Sequence, residues 1–329
     1  MLKPHPLTSL FLLLVTLFST LLAAAPADYY IAGVDQTPNA IHVFPRNKPW
    51  TSPNIYWSFT AGNRNKDWSN LSDVKLRKTA SHGWIALVSA SGGNAGIINV
   101  SKSKLKTDLD DVLWTGSPGG NPHAIERIPH LGAVVVASST PGKLTLYYPG
   151  NPKDINDFKN LKRSDVNYDV PGAHGVLWDP NGSPNDPEKG ILWVSLNKSM
   201  QKYRVTGRGK AMRLVQEGSA IPFPGKRGLG HDLQPDYTNK NVLLATDSYG
   251  AYAYDIPTGK WATLREEKAI KSFVRHKSGE YLWVTKEGKD GWLSPWVSFG
   301  MKAGEKASEK KGGGGKGFYK ARVHETGFE

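Results

Sequence analysis

Hydrophobic and polar positions alternate along most of the chain in short runs that are separated by turn residues. A two-residue period over four to eight residues is typical of β-strands with one buried face. Six stretches share one construction: an apolar strand, a turn rich in Gly, Ser or Asn, and a second strand with alternating aromatic or charged residues. They are "YYIAGVDQTPNAIHVF" (29–44), "WIALVSASGGNAGIINV" (84–100), "AVVVASSTPGKLTLYYP" (133–149), "ILWVSLNKSMQKYRV" (191–205), "NVLLATDSYGAYAYDI" (241–256) and "EYLWVTKEGKDGWLSPWVSF" (280–299). The pattern predicts an all-β protein.

The spacing of these hairpins predicts a β-propeller. Their starts are roughly 40 to 55 residues apart, which is the period of propeller blades. Five hairpins follow another strand-like run, which would be the innermost strand of its blade: "DVKLRKT" (73–79), "HAIERIP" (123–129), "HGVLWDP" (174–180), "HDLQPDY" (231–237) and "IKSFVRH" (270–276). The last such run, "GFYKARV" (317–323), has no hairpin after it. We expect it to pair with the first blade and close the ring, because an open seam leaves unpaired strand edges.

The beginning of the chain has the pattern of a secretory signal peptide. Lys3 precedes an apolar run over 10–22, and three alanines follow before Pro26. The run is too short for a good membrane anchor. Four N-x-[ST] triplets fit passage through a eukaryotic secretory route: Asn70, Asn99, Asn181 and Asn197. We therefore expect residues 1–25 to be removed, 26–329 to form one propeller domain, and the product to be a secreted glycoprotein with no membrane attachment.

Composition narrows the class of partner. The chain has no cysteine, so a fold of about 300 residues must be stabilised by its core alone. Its formal charge is +13, with lysines concentrated in "MKAGEKASEKKGGGGK" (301–316), for which the sequence predicts a flexible Lys/Gly-rich loop. No helix-turn-helix, zinc-finger or ribonucleoprotein signature is present. We expect an acidic polysaccharide or oligosaccharide as the partner, no nucleic acid, and a monomer.

Three histidines occupy matched points of the repeat. His123, His174 and His231 each follow a Gly-rich approach and open a predicted inner strand. Inner strands of a propeller surround one axis, so we expect the three imidazoles to meet at one face. A single histidine of this kind more often caps or hydrogen-bonds a loop, whereas three at matched points favour a functional site. Three converging imidazoles could also hold a divalent metal ion, and this possibility stays open.

Cations and an aromatic residue are expected beside the histidines. Lys75, Lys271, Arg127 and Arg275 come from inner strands, and Asn63 and Trp68 come from the loop at 61–70. Arg or Lys can pair with a sugar carboxylate, and Trp can stack on a sugar ring. The lysines could equally be solvated strand ends, and Arg127 could form a cross-strand pair with Glu126.

These residue types suit β-elimination on a uronic acid. The proton at C5 is weakly acidic until the carboxylate is neutralised, so a lyase needs a cation, a base at C5 and an acid at the leaving oxygen on C4. Histidine can transfer either proton near neutral pH. The sequence contains no G-x-S-x-G, H-E-x-x-H or phosphate-binding Gly-rich motif, which removes several other hydrolase and nucleotide-binding classes.

The order and spacing of short motifs resemble a family of secreted fungal β-propellers, the L-rhamnose-α-1,4-D-glucuronate lyases that act on gum arabic. The motifs are "SDVK" (72–75), "SASGG" (89–93), "GGNPHA" (119–124), "VVASS" (135–139), "AHGVLWD" (173–179), "GHDLQP" (230–235), "IKSF" (270–273) and "YKAR" (319–322). The resemblance implies seven blades, a pocket on one face, and release of terminal L-rhamnose from glucuronate by β-elimination. The chain is also distantly similar to oligogalacturonate lyases, propellers that hold a metal with histidines.

The expected function is therefore an extracellular polysaccharide lyase that needs no cofactor and cleaves a terminal L-rhamnosyl-α-1,4-D-glucuronate linkage. We expect His123 to transfer a proton, His174 and His231 to act as its partners, and Lys75, Lys271, Arg127, Arg275, Trp68 and Asn63 to bind substrate. Two alternatives remain, a non-catalytic propeller that binds acidic glycans and a metal-dependent lyase of the oligogalacturonate type. A metal-dependent lactonase fits less well, because that class uses carboxylate and Asn ligands where this chain has mainly His and Lys.

Overall fold

In a computed structural model the chain is built almost entirely of antiparallel strands. The structure describes residues 28–62, 65–101, 104–182, 190–225, 228–287 and 291–325. The predicted signal peptide and Asn63 lie outside these ranges. Apart from strands, the described residues form short 3-10 helices at Ser52–Asn54, Lys66–Trp68, Leu109–Asp111, Pro129–Leu131, Phe158–Asn160, Pro180–Gly182 and Gly209–Ala211. Within the described ranges no helix is long and apolar enough to cross a membrane.

The first three sheets follow one another along the chain, and their strands are given from the innermost outward. Blade 1 contains β26 (Phe318–Val323), β1 (Tyr30–Asp35), β2 (Ala40–Pro45), β3 (Trp57–Thr60) and the added β7 (Lys106–Asp108). Blade 2 contains β4 (Leu71–Thr79), β5 (Gly83–Ala90), β6 (Ala95–Asn99) and β8 (Val112–Gly116). Blade 3 contains β9 (Pro122–Ile128), β10 (Ala133–Ser138), β11 (Lys143–Pro149), β12 (Leu161–Arg163) and β13 (Tyr168–Asp169).

The remaining three sheets have the same plan. Blade 4 contains β14 (Gly175–Asp179), β15 (Ile191–Ser195), β16 (Ser199–Thr206) and β17 (Arg213–Pro222). Blade 5 contains β18 (Asp232–Asp236), β19 (Asn239–Thr246), β20 (Gly250–Asp255) and β21 (Lys260–Glu266). Blade 6 contains β22 (Ile270–Arg275), β23 (Tyr281–Thr285), β24 (Trp296–Gly300) and β25 (Glu309–Gly312). A single parallel bridge between Asp236 and Arg275 joins blades 5 and 6.

The blades pack face to face around a closed ring. Separate clusters of buried apolar side chains lie between blades 1 and 2, 2 and 3, 3 and 4, 4 and 5, 5 and 6, and 6 and 1. The predicted propeller is confirmed, and the six repeats visible in the sequence correspond to six blades. The resemblance implies seven, but the cluster between blades 6 and 1 leaves no gap for another sheet among the described residues.

The C-terminal strand closes the ring as predicted. Ile31 to Asp35 of β1 pair antiparallel with Val323 to Phe318 of β26, with a register shift near Asp35. The strand thus becomes the innermost strand of blade 1. One prediction near this end is wrong: part of the loop expected over 301–316 forms β25, which pairs with β24 and is the outermost strand of blade 6.

Candidate functional site

The three histidines begin inner strands of consecutive blades at the same end of the ring, which we call the upper face. His123 is the second residue of β9, and His174 and His231 immediately precede β14 and β18. The backbone N–H of His174 donates to the carbonyl of Ser195 at 2.9 Å, and that of His231 donates to the carbonyl of Thr246 at 2.9 Å. A Cβ on Gly230 would lie 2.1 Å from the carbonyl oxygen of Leu196, so only glycine fits before His231.

The imidazoles meet near the axis, as the matched positions predict. The rings of His123 and His174 are stacked, with centroids 4.2 Å apart and planes 12° apart. The ring of His231 meets that of His174 edge-on at 5.6 Å. The structure therefore brings the three side chains together, while their catalytic roles stay a prediction.

A pocket of about 460 Å³ opens above these rings. Most of the lining residues carry polar, uncharged groups, and they come from every blade or blade connection around the axis. The lining residues are Gln36, Asn70, Ser91, Asn121, His123, Ser139, His174, Leu229, His231, Lys271, Trp292 and Tyr319. Within the described part of the chain, this lining contains one ammonium group, that of Lys271, and no carboxylate. Such a lining attracts anions.

Lys271 is positioned to act on a ligand in the pocket. It is the second residue of β22, and its Nζ lies 3.3 Å from Nε2 of His231. Burial, reinforced by the nearby Lys320 and Lys286, lowers the pKa of Lys271 to about 8. At neutral pH, most molecules of the protein therefore still carry a protonated Lys271.

Buried charges close the floor of the pocket. Arg322 donates to Asp73 and Asp232, with shortest distances of 2.7 and 2.6 Å. The ammonium of Lys320 donates to the carbonyl of His123 at 3.0 Å and lies 4.0 Å from a carboxylate oxygen of Asp232. Burial lowers the pKa of Lys320 to about 8, against the opposing effect of the two carboxylates. The pocket is thus blind, and its floor is a buried network of two cations and two carboxylates.

The imidazoles are held in the neutral form. Burial, and then the charges of Lys320 and Lys271, lower the pKa of His123 to about 3. Burial also lowers the pKa of His174 and His231 well below the ordinary value, with neighbouring histidines and lysines adding to the effect. A neutral imidazole has one donor and one acceptor nitrogen, so each ring can accept a proton or donate a hydrogen bond.

Tyr319 belongs to the site, although the sequence did not single it out. Its hydroxyl lies 3.2 Å from Nδ1 of His123. Burial and the carboxylates of Asp73 and Asp232 raise the pKa of Tyr319, so the hydroxyl keeps its proton. The motif "YKAR" placed this residue on an inner strand, but only the pairing of β26 with β1 shows which neighbour it meets. Gln36, Asn121, Ser139 and Trp292 also line the pocket, and they lie in turns and strand approaches whose individual residues differ from blade to blade.

Several predicted substrate-binding residues lie elsewhere. Lys75 is buried below the pocket and donates to the carbonyls of Ile125 and Val176 at 2.9 and 2.5 Å. Arg127 is buried and donates to Ile155 and Asn156. Both are wrong as pocket residues because their strands carry them away from the upper face.

Arg275 and Trp68, which were also predicted to bind substrate, lie outside the pocket as well. Arg275 is the last residue of β22 and lies 3.6 Å from Asp236 at the opposite end of the strand from Lys271. Trp68 is buried in the core, against Phe59 and the backbone of Gly96, and cannot stack on a sugar. The exposed aromatic ring of the pocket is Trp292, whose Nε1 donates to Oε1 of Gln36 at 3.3 Å.

The arrangement of the histidines does not fit one shared metal ion. Nitrogen lone pairs lie in the plane of an imidazole, so the stacked rings of His123 and His174, with centroids 4.2 Å apart, direct their lone pairs within two nearly parallel planes. Zinc–nitrogen bonds of about 2.0–2.1 Å require lone pairs that converge. Across the described ranges, no group of three or more His, Cys, Asp or Glu side chains is arranged to hold a metal ion.

Comparison with known proteins relates the chain to others by fold alone. No protein-family model matches it, and no curated protein does. A solved structure of a functionally unknown protein from Desulfotomaculum acetoxidans is similar, with a TM-score of 0.54 and 12% identity over 87% of this chain and 80% of that one. The WD40 domain of Toxoplasma gondii coronin is similar with a TM-score of 0.51 and 9% identity, over 90% of this chain and 78% of that one. The second likeness supports the propeller fold.

Proposed function

We propose that this protein is a secreted polysaccharide lyase that cleaves a terminal L-rhamnosyl-α-1,4-D-glucuronate linkage by β-elimination in the upper-face pocket. One observation carries the proposal: among the residues that the structure describes, the pocket lining has one ammonium group and no carboxylate, together with three neutral imidazoles and a protonated tyrosine. These groups supply the charge and the proton transfers that elimination from a uronate needs.

Lys271 has the role of the carboxylate-neutralising cation. Pairing its ammonium with the sugar carboxylate lowers the pKa of the proton at C5, because the negative charge that develops on the carboxylate is stabilised. Lys320, which is buried in the floor and acts electrostatically on Lys271, adds positive potential beneath the pocket. Trp292, at the rim, takes the stacking role that the sequence assigned to Trp68.

His123 has the role of the proton-transfer residue. Its neutral ring can accept the C5 proton as the C4–O bond breaks and a double bond forms between C4 and C5. The hydroxyl of Tyr319 orients the ring through Nδ1. The departing oxygen on C4 then takes a proton from His174 or His231, the candidates for this role, and the donor ring recovers a proton from the imidazolium of His123, so that all three rings end neutral.

The closed floor supports action on a chain end. A polymer cannot pass through a pocket whose base is filled by Arg322, Lys320 and their carboxylate partners. A terminal unit can enter such a pocket from above.

The test is formation of an unsaturated uronate from gum arabic, followed by ultraviolet absorbance. We expect His123→Ala to lose about 10²- to 10⁴-fold in kcat, the usual contribution of a general acid or base. His82→Ala is the matched control, since His82 lies in the β4–β5 turn at the opposite end of the ring and should behave as the wild type. Undiminished turnover by His123→Ala would remove this residue from the mechanism.

Binding of acidic glycans without cleavage is the second candidate. The strongly lowered pKa of His123 favours it, because such an imidazole is a weak base until a bound anion raises its pKa. Tight glucuronate binding with no unsaturated product from a panel of uronate-bearing gums and pectins would select this function. A metal-dependent oligogalacturonate-type lyase fits less well, given the stacking of His123 on His174.

A further inference from the structure

A second pocket, of about 350 Å³, lies on the upper face beside the first. Its lining residues are Gly225, Tyr249, Tyr252, Thr263, Glu266, Glu267 and Lys268. The register of blade 5 places this pocket at the upper face. Gly250 pairs with Glu266, and the carbonyl of the nearby Thr246 accepts the backbone N–H of His231, which lies at that face. Both pockets are within the size range of small-molecule sites, about 300–1,000 Å³.

One short wall separates the two pockets. Leu229 lines the first pocket, and its backbone N–H donates to Oγ of Ser248 at 3.1 Å. Ser248 is followed by Tyr249, which lines the second. Asp247 holds this wall in place, because its carboxylate accepts from the backbone of Gly228, Tyr249 and Gly250 and from the hydroxyl of Tyr252. A ligand that leaves the first pocket over Leu229 therefore meets Tyr249.

The charges of the second pocket differ from those of the first. Among its described lining residues, Glu266 and Glu267 contribute two carboxylates and Lys268 one ammonium, and Arg265 pairs with Glu267. Carboxylates accept hydrogen bonds from sugar hydroxyls and repel another carboxylate. Tyr249 is 39% exposed, which leaves its side chain available for stacking. These groups suit an uncharged sugar.

We propose that the second pocket is a subsite for a neutral sugar joined to the uronate that occupies the first pocket. The inference rests on the proposed function and adds that the sugar on the C1 side of the uronate is neutral, so that a second uronate is disfavoured at this position. The C4–O bond and the C5 proton must stay beside the imidazoles, so the chain extends outward from C1 of the uronate. In a polyuronate, the next unit would place its carboxylate near Glu266 and Glu267.

Binding of three small probes tests the subsite by calorimetry: glucuronic acid, glucuronosyl-galactose and digalacturonate. The first two have a free hydroxyl at C4 of the glucuronate and therefore no sugar to eliminate. Digalacturonate presents a second carboxylate. We expect the wild type to bind glucuronosyl-galactose most tightly. Tyr249→Ala should lower that affinity about 3- to 10-fold and leave glucuronic acid unchanged.

Two further variants control for the chemistry. Tyr249→Phe keeps the ring and should keep the affinity. Glu266→Gln removes a negative charge and should raise the affinity for digalacturonate relative to glucuronosyl-galactose. Equal losses for glucuronic acid and glucuronosyl-galactose in Tyr249→Ala, or a preference of the wild type for digalacturonate, would overturn the subsite. Failure of the proposed lyase function is read separately, from the absence of unsaturated product with gum arabic while these binding differences persist.

Discussion

At the scale of single residues, depth along an inner strand decides which predicted side chains reach the pocket. His123 and Lys271 are second in their strands, whereas Lys75 is fifth in β4 and Arg127 and Arg275 are sixth in theirs. Each residue advances a strand by about 3.3 Å, so Lys75 lies roughly 10 Å below the level of Lys271. The sequence identified the correct strands and could not show where each begins relative to its neighbours.

The ammonium of Lys271 predicts the pH dependence of anion binding. With a pKa of about 8, the group is charged below this pH and neutral above it, while a uronate stays ionised throughout. Affinity for glucuronate should therefore be highest below pH 8 and fall by up to about 100-fold by pH 10, or tenfold per unit. Calorimetric titrations across this range provide the measurement.

Lys271→Arg is the control for this prediction, because a guanidinium keeps its charge at pH 10. The variant should retain only the smaller decline that comes from Lys320, whose pKa is also about 8. An identical pH profile for the two proteins would assign the effect to another group.

At the scale of elements, β26 is the strand on which the ring and the site both depend. It pairs with β1, and its Arg322 reaches Asp73 on β4 and Asp232 on β18. The hydrophobic pattern of "GFYKARV" was enough to predict the strand and its pairing. The partners of Arg322 could not be predicted, since they come from residues 90 and 249 positions away.

Replacing Arg322 should destabilise the fold strongly. Arg322→Met leaves Asp73 and Asp232 buried without their cation, and breaking a buried pair in this way costs about 3–5 kcal/mol in the free energy of unfolding. Lys277→Ala, which removes the exposed contact with Glu325, should cost about 0–1 kcal/mol. Urea unfolding of both variants gives the comparison, and equal small losses would contradict a structural role for the buried network.

At the scale of the whole molecule, the buried neutral histidines make the free energy of unfolding depend on pH. The pKa is lowered for six of the nine histidines, and to about 3 for His123 and about 4 for His276. An unfolded chain binds these protons near pH 6.5, whereas the folded chain does not until much lower pH. The contribution of these neutral histidines to stability is therefore complete above pH 6.5 and declines as the pH falls below it, by up to about 1.4 kcal/mol per pH unit for each such group.

Urea midpoints at pH 7.5, 6.0 and 4.5 test this dependence. We expect a continuous fall across the series. Asp73 adds a later loss, because its pKa is held at about 2 chiefly by Arg322 against burial, so its contribution is complete above about pH 4 and disappears toward pH 2. A midpoint that does not change between pH 7.5 and 4.5 would show that the histidines titrate normally in the folded protein.

The global architecture was predictable because it repeats. Each hairpin carries the same alternation, and the period of the hairpins selects a propeller. The site was only partly predictable. The histidines share one point of the repeat, whereas Trp292, Gln36 and Asn121 lie in connections that differ from blade to blade.

The position of β26 has a consequence for the order in which the molecule can be assembled during synthesis. Tyr319 and Lys320 complete the wall and floor of the upper-face pocket, yet they emerge from the ribosome after the residues of all the other blades. A nascent chain that has folded blades 2 to 6 still lacks the ring's seam and the hydroxyl beside His123. The upper-face pocket is therefore complete only after β26 has left the ribosome and paired with β1.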